Sequence, residues 1–515
     1  MLMVVLAAVM VSGCASVATR GAGKPKSSAL QDPRETRLGR QFLDLSRTHG
    51  GLSGMHLIQA GADGLAARVQ IVRNAERTLD LQYFIFRGDQ TGTLLTEELR
   101  HAADRGVRVR VIVDDGDTKP GDEHLLELDG YPNMQVRVFN PFDYRKHNLL
   151  LRNVDFLFHK SRLDYRMHNK LLVADNAIAL IGGRNVGNEY FQLDPEGQFA
   201  DDDVFVAGPI AQTLSKSFDE FWNSDLAVPA ADLGGPHAYR PPVTTPVIKG
   251  SGVDYLARIA TGEPYSSLIS DRQALIWAPA RVVYDSPDKR FIEHSAERGR
   301  LMSHAVEEEI RKSRSELLMV SCYFVPSDGE LGVLKGLRDR DEAVKVLSNS
   351  LESAPSLAAQ SGYHKVRVAL LKAGVKLYEI RSRLDSTRGS GQSRQVSRYG
   401  NYSLHAKLYI FDRQRFFIGS WNYDQRSLHL NTEIGLIIDN AKLTSQMTRR
   451  FDAMTAPAAA YEVVLDPDLP GHAARLEWDT EVNHQKIRLY KEPSRGWWRK
   501  AEERLLALLP LEPEL

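Results

Sequence analysis

Two histidines and two lysines set the terms for any chemistry in this chain. Residues 166–185 read RMHNKLLVADNAIALIGGRN, and residues 403–422 read SLHAKLYIFDRQRFFIGSWN. Both obey H-x-K-x4-D-x6-G-[GS]-x-N. His168, Lys170, Asp175 and Asn185 thus recur as His405, Lys407, Asp412 and Asn422, each 237 positions further on. A neutral imidazole can attack, and a charged one can give up a proton. Two copies of the set suggest one composite site with a nucleophile and a matching acid. One H-x-K-x4-D alone recurs by chance; two copies with the same G-x-x-N tail do not.

These side chains need a rigid support, and the surrounding pattern supplies one. Each motif reads as a β-hairpin: His168 to Ala174 is one strand, Asp175-Asn176 the turn, and Ala177 to Gly182 the return. Alternation along a strand points His168 and Lys170 one way, and Asn169, Leu171 and Val173 the other, into a core. Upstream, residues 65–72 have helical apolar spacing, 81–86 are strand formers, 93–105 read as a helix closed by Gly106, and 107–113 alternate as a strand. The order recurs as helix 303–313, strand 316–325, helix 330–339, strand 344–347, helix 364–373 closed by Gly374, and strand 375–378. Tyr83-Phe84 and Tyr323-Phe324 read as equivalent pairs. Strands alternating with helices imply α/β layers. The expectation is two tandem α/β sandwich domains related by pseudo-twofold symmetry, with the active site shared between them. Their expected spans are 51–228 and 281–465, joined by a Pro- and Gly-rich connector over 229–280.

The chain has 515 residues, enough for two sizeable cores. Lys plus Arg and Asp plus Glu both number 66, giving zero formal net charge, which argues against a general nucleic-acid binder. Two cysteines, Cys14 and Cys322, make no disulfide framework. Cys322 reads as a small core residue in an apolar strand. Residues 1–12 are almost all small or apolar and precede Val11-Ser12-Gly13-Cys14 without an earlier Lys or Arg. Residues 1–14 resemble a lipoprotein signal, too short to span a bilayer, with Cys14 the lipidated residue. Ala15 in place of aspartate favours an outer-membrane anchor. Residues 15–50 read as a polar tether. At the other end, over 466–515, Trp497, Trp498, Arg499 and Lys500 precede a Leu-rich stretch, a pattern suited to a bilayer interface or to a helix packed on the domain.

The doubled motif resembles the phospholipase D superfamily, and the resemblance covers roughly residues 50–465. It implies attack by one histidine on the phosphorus of a phosphodiester, giving a phosphohistidine, and protonation of the leaving oxygen by the other. His168 would be the nucleophile and His405 the acid/base. Lys170 and Lys407 would clamp the phosphate oxygens, with Asn185, Asn422 and Ser420 as further donors. Asp175 and Asp412 complete the motif as turn residues that support the site. Glu433 would orient a histidine, and its first-half counterpart would be Asp201 or Asp203, with Asp201 preferred. Arg184 and Arg426 are secondary phosphate or headgroup candidates. No metal-ligand spacing is present, and no cofactor is called for.

Several stretches are similar to the bacterial cardiolipin synthase branch, especially its C-type members. They are residues 166–172, Gly182-Gly183-Arg184-Asn185 with Glu189-Tyr190-Phe191, residues 277–289, Asn431 to Gly435, and Ser361-Gly362-Tyr363, where Gln360 replaces an expected histidine. The resemblance implies a phosphatidyl transferase. It would make cardiolipin from phosphatidylglycerol and a second phospholipid, phosphatidylethanolamine or phosphatidylglycerol. The partners are phospholipids at a membrane surface in the bacterial cell envelope, and no nucleic acid. The alternatives are a phospholipase D that releases phosphatidic acid and a phospholipase D-like nuclease.

Overall fold

The computed structural model describes residues 23–117, 122–142, 159–194, 197–233, 275–292, 301–382, 401–466 and 475–507, with Phe156 and Ile269. Cys14 and most of the connector lie outside the described residues.

In the first half, α1 (Arg37–Thr48) precedes β1 (Ser53–Ile58), α2 (Gly61–Asn74), β2 (Thr78–Tyr83), α3 (Gln90–Asp104), β3 (Arg108–Asp114) and β4 (Met134–Phe139). Next come β5 (Arg166–Met167), β6 (Leu171–Ala174), β7 (Ile178–Gly182), β8 (Gly197–Ala200), β9 (Asp203–Ala207), α4 (Pro209–Asn223), β10 (Ala227–Pro229) and β11 (Ile276–Ala278). The second half holds β12 (Ala280–Tyr284), α5 (Met302–Arg311), β13 (Glu316–Ser321), β14 (Phe324–Val325), α6 (Asp328–Arg338), β15 (Ala343–Asn349), α7 (Leu357–Lys372) and β16 (Lys376–Ile380). It continues with β17 (Asn401–Leu404), β18 (Lys407–Phe411), β19 (Arg415–Gly419), β20 (Tyr423–Asp424), β21 (Asn431–Thr432), β22 (Ile434–Asp439) and α8 (Ala441–Met454). The last elements are β23 (Ala460–Asp466), β24 (Arg475–Val482), β25 (Gln485–Leu489) and α9 (Trp497–Ala507).

The duplication is visible in strand order. One sheet runs β4-β3-β2-β6-β7-β9 and the other β16-β15-β13-β18-β19-β22, each with three parallel strands beside the antiparallel motif hairpin. Three cores fill the described part of the molecule. Leu172, Leu180 and Phe205 pack under α2 and α3, and Tyr409, Phe417 and Ile437 pack under α5, α6 and α7. The third core lies between the halves: Leu171, Val173 and Ile181 meet Leu408, Ile410 and Ile418 there, together with Phe218 of α4 and Phe451 of α8. Each motif strand is therefore apolar on both faces, as a central strand with two covered sides must be.

Four expectations need correction. His168 and His405 do not lie in the hairpin strands, which begin at Leu171 and Lys407. Their backbones instead bond to the opposite half. The Tyr83-Phe84 and Tyr323-Phe324 pairs are not equivalent. Leu79 faces Ala174 and Leu317 faces Phe411 in matching registers, so Phe84 corresponds to Cys322 and Ile85 to Tyr323. The polar tether is docked from Lys24 onward: Arg110 and Trp222 donate to Ser27, Arg137 donates to the Pro25 carbonyl, and Ala29 N–H donates to Asp219. Residues 475–489, set apart in sequence as a tail, form β24 and β25 and extend the second sheet. Within the connector, β11 pairs with β1 and β12 with β22, so the chain passes from sheet to sheet at Pro279.

Candidate active site

Each motif histidine is held by the other half of the chain. Arg166 and Met167 pair in parallel with Asn431 and Thr432, and His168 N–H donates to the Thr432 carbonyl at 2.9 Å. Residues 401–404 pair in parallel with 197–200, and His405 N–H donates to the Ala200 carbonyl at 2.8 Å. The residue after each accepting carbonyl is a carboxylate. Glu433 meets His168 Nδ1 at 2.9 Å, and Asp201 meets His405 Nδ1 at 2.6 Å. Sequence left Asp201 and Asp203 as alternatives; the fold separates them. Asp201 takes the histidine, while Asp203 is buried against Arg68 and Arg184 at 2.8 and 3.1 Å. Bonding at Nδ1 turns Nε2 of each ring toward other partners.

The two carboxylates are supported differently, and this explains the G-[GS] step of the motif. A Cβ on Gly183 would sit 2.1 Å from Asp201 Oδ1, so only glycine leaves room for the shorter acid. At the matching position Ser420 donates its hydroxyl proton to Glu433, and Ser427 does the same at 3.0 Å. Ser420 is fully buried, and its oxygen accepts Ile434 N–H at 3.0 Å. It therefore serves Glu433, not a phosphate as expected. Behind Glu433, Asp285 accepts Glu433 N–H at 3.1 Å and pairs with the buried Lys289 at 2.9 Å, which also donates to the Ser427 and Asn431 carbonyls. Both residues lie in the 277–289 stretch already noted for its resemblance.

Lys170 donates to the His168 carbonyl at 2.5 Å, and its ammonium lies 5.4 Å from the Phe84 ring centre. Lys407 Nζ lies 3.1 Å from His405 Nδ1 and 3.3 Å from Cys322 Sγ. Phe84 packs edge-on against His168, and Tyr190 and Phe199 flank His405, all with ring centres about 5 Å apart. None of these aromatics, nor Cys322, was marked from sequence as a site residue. Tyr190 falls in a stretch that carries the family resemblance, and the others have no motif signal.

Burial sets the protonation of the site. It pushes His168 well below the usual histidine value, and the charges of Lys170, Lys407 and Arg426 push the same way. Burial and Lys407 take His405 down to about 3 against the opposing pull of Asp201. Lys170 is lowered by burial and by Lys407, and is raised by Glu433 and Asp201. Lys407 thus acts on His168, and Lys170 on His405, which makes the two motifs one electrostatic site. Asp201, despite burial, is held at about 2 by His405 and its neighbours, whereas burial leaves Glu433 at about 6. An anion placed among these cations would reverse the desolvation that depresses them.

The other expected residues lie elsewhere in the arrangement. Asp175 and Asp412 sit at the far ends of the hairpins, with φ near +54° and +52°. Asp175 accepts the backbone N–H groups of Glu76, Arg77 and Thr78, and Asp412 those of Arg314, Ser315 and Glu316. They clamp the hairpin to the start of β2 and β13 and touch no motif histidine. Asn185 accepts Ile85 N–H and donates to the Tyr190 hydroxyl, and Asn422 accepts from Cys322. These bonds tie the amides to the strand ends that frame the site. Arg184 is spent on the Ile58, Gln59 and Asp201 carbonyls, and Arg426 pairs with Asp164 at 2.7 Å. Among the described residues no cluster of three or more His, Cys, Asp or Glu is arranged to hold a metal ion.

Paired motif hairpins, one in each of two fused sandwiches, with crossed histidine–carboxylate pairs, define a phospholipase D-like enzyme fold. The family described as "Cardiolipin synthase, PLD-like domain" matches residues 69–222 and 306–455, and the chain belongs to it. It is 32% identical over 488 residues to cardiolipin synthase C of Escherichia coli, covering 92% of this chain and 99% of that one. It is 24% identical over 414 residues to cardiolipin synthase A of Proteus mirabilis, covering 79% and 71%. Among solved structures, phosphatidylserine synthase of Haemophilus influenzae superposes with a TM-score of 0.52 at 13% identity, over 82% of this chain and 92% of that one.

Proposed function

We propose that this protein is a phosphatidyl transferase that makes cardiolipin from phosphatidylglycerol and a second phospholipid, either phosphatidylethanolamine or phosphatidylglycerol. The observation that carries the reading is the crossed pair of histidine–carboxylate couples beside two buried lysines, in a chain that aligns over 92% of its length with a protein named cardiolipin synthase C. His168, neutral and with Nδ1 bound to Glu433, attacks phosphorus through Nε2. The P–O bond to the leaving headgroup breaks, and His405 supplies the proton to that oxygen. The phosphatidyl group rests on His168 as a phosphohistidine. His405 then takes the proton of an incoming phosphatidylglycerol hydroxyl, whose oxygen displaces the histidine. Lys170 and Lys407 neutralise the phosphoryl oxygens as charge builds on them.

The assignment of roles rests on the difference between the carboxylates. Asp201 stays ionised and close to its histidine, which raises the proton affinity of His405 and lets it serve as the acid once a bound phosphate offsets the lysine charges. Glu433 holds its charge less firmly, which suits a histidine that must remain neutral to attack. Asp175 and Asp412 act by fixing the hairpins. Cys14 would carry the lipid that keeps the enzyme at the envelope membrane. No described helix is long and apolar enough to cross a bilayer.

Lipid profiling tests the reading. A cardiolipin-deficient bacterium expressing the chain should regain cardiolipin, and the His405→Ala chain should not. Failure of the wild type to restore cardiolipin ends the synthase assignment. Accumulation of phosphatidic acid in its place would mark a phospholipase D.

A further inference from the structure

A cavity of about 410 Å³ opens between α7, α9 and the edge strands β24 and β25, and none of its lining residues belongs to either motif. Its size is in the range of ligand pockets. Its walls divide by chemistry. Leu476, Trp478 and Tyr490 make an apolar side, and Arg367, Lys491, Lys500 and Arg504 a cationic one. His364 and Glu503 close the rim as a pair at 3.0 Å.

Arg367 is fully buried. It pairs with Glu492 at 2.8 Å and Glu379 at 3.3 Å, yet its Nη1 has no hydrogen-bond partner. A buried guanidinium donor left unpaired is costly, and an anion would satisfy it. Lys491 and Arg504 are exposed, and no ion pair or hydrogen bond joins their side chains to a described residue. Of the five large hydrophobic side chains exposed among the described residues, four cluster at this end: Tyr490, Trp497, Trp498 and Leu505. Trp497 and Trp498 stack at 3.7 Å, and Trp498 and Leu505 share one helical face seven residues apart. Exposed indoles next to unpaired cations are the surface chemistry of a bilayer interface.

We propose that this cavity is a second phospholipid site, which takes the phosphate of an anionic headgroup on Arg367, Lys491 and Arg504 and thereby docks α9 on the membrane. The glycerol end of the lipid lies against Leu476 and Tyr490. The site goes beyond the transferase reading, and its test measures binding alone, so either can fail without the other.

The test uses the full chain carrying Cys14→Ser, so that no acyl anchor contributes, and flotation with vesicles of phosphatidylcholine alone or with added phosphatidylglycerol. The exposed-site double variant Lys491→Glu/Arg504→Glu should weaken binding to the anionic vesicles by about tenfold or more, and Trp498→Ser should weaken it as well. Lys442→Glu, an exposed charge reversal on α8, should change it by less than about twofold. If the double variant binds as the wild type does, or if Lys442→Glu weakens binding equally, the proposal falls. A soluble arm separates the two sources of phosphate. If sn-glycerol 3-phosphate saturates the wild-type chain at micromolar concentration and the double variant abolishes this, the cavity serves a soluble ester and the lipid site is overturned.

Discussion

At the scale of single residues, the site works by lending carboxylates across the molecule. His405 must hold a proton to act as an acid, and Asp201 is the group that raises its proton affinity against burial and Lys407. The rate of an enzyme that needs a protonated acid falls as pH rises past the pKa of that acid. Asp201→Asn removes the raising interaction, so the descending limb of the kcat profile, which reports the lipid-bound enzyme, should move to lower pH by about one unit or more. The activity at neutral pH should fall by about tenfold to a hundredfold with it. A descending limb that stays in place would show that Asp201 only fills space. Replacing the nucleophile has a different signature. His168→Asn should remove activity by about a thousandfold or more and leave no covalent lipid on the chain, whereas His405→Asn keeps the nucleophile, so a phosphatidyl ester of p-nitrophenol, whose leaving group needs no proton, should still load His168 and give a phosphatidyl adduct by intact mass.

At the scale of elements, the hairpin and its glycine turn a motif into a geometry. A Cβ on Gly183 meets Asp201 Oδ1 at 2.1 Å, while one on Gly197 meets nothing within 4 Å. Gly183→Ala should therefore displace the carboxylate that aims His405 and cost about a hundredfold in kcat, with a lower melting temperature from the buried clash. Gly197→Ala, on the neighbouring β8, should retain activity. The motif aspartates predict the reverse pattern. Asp175→Ala strands three backbone donors at the start of β2, and should cost about 2 kcal/mol, or about 4–8 °C of melting temperature. Activity lost in that variant should return on cooling, because Asp175 touches no motif histidine. The docking of residues 24–31 on α4 likewise shows why a polar stretch need not be a loose tether. The Ser27 carbonyl and hydroxyl accept from two buried groups, Arg110 and Trp222.

At the scale of the whole molecule, neither half is complete. Leu171, Val173 and Ile181 share a core with Leu408, Ile410 and Ile418, and each histidine draws its carboxylate from the other half. A chain ending near residue 270 should expose that apolar face and be insoluble or inactive by itself, as should the remainder. Refolding the two pieces together should recover activity, measured as cardiolipin formed, and recovery by one piece alone would refute the shared centre. The fusion also explains the unlike supports of Glu433 and Asp201. Duplicated halves in one chain can diverge, so that Ser420 serves one acid and Gly183 makes room for the other.

The residue pattern by itself determined the duplication, the α/β class, the closing roles of Gly106 and Gly374, both with positive φ, and the two histidine–lysine sets. Those features follow from local spacing, which a linear chain displays directly. Tertiary structure alone decided which acid serves which histidine, that Ser420 supports Glu433, that Phe84 matches Cys322, and that residues 475–489 finish a sheet. The first three depend on strands paired across some 200 residues or more, or on the register of a ladder, and the last on which sheet edge lies open to the hairpin. A shift of one position there reverses every side chain, and no short window of sequence records it.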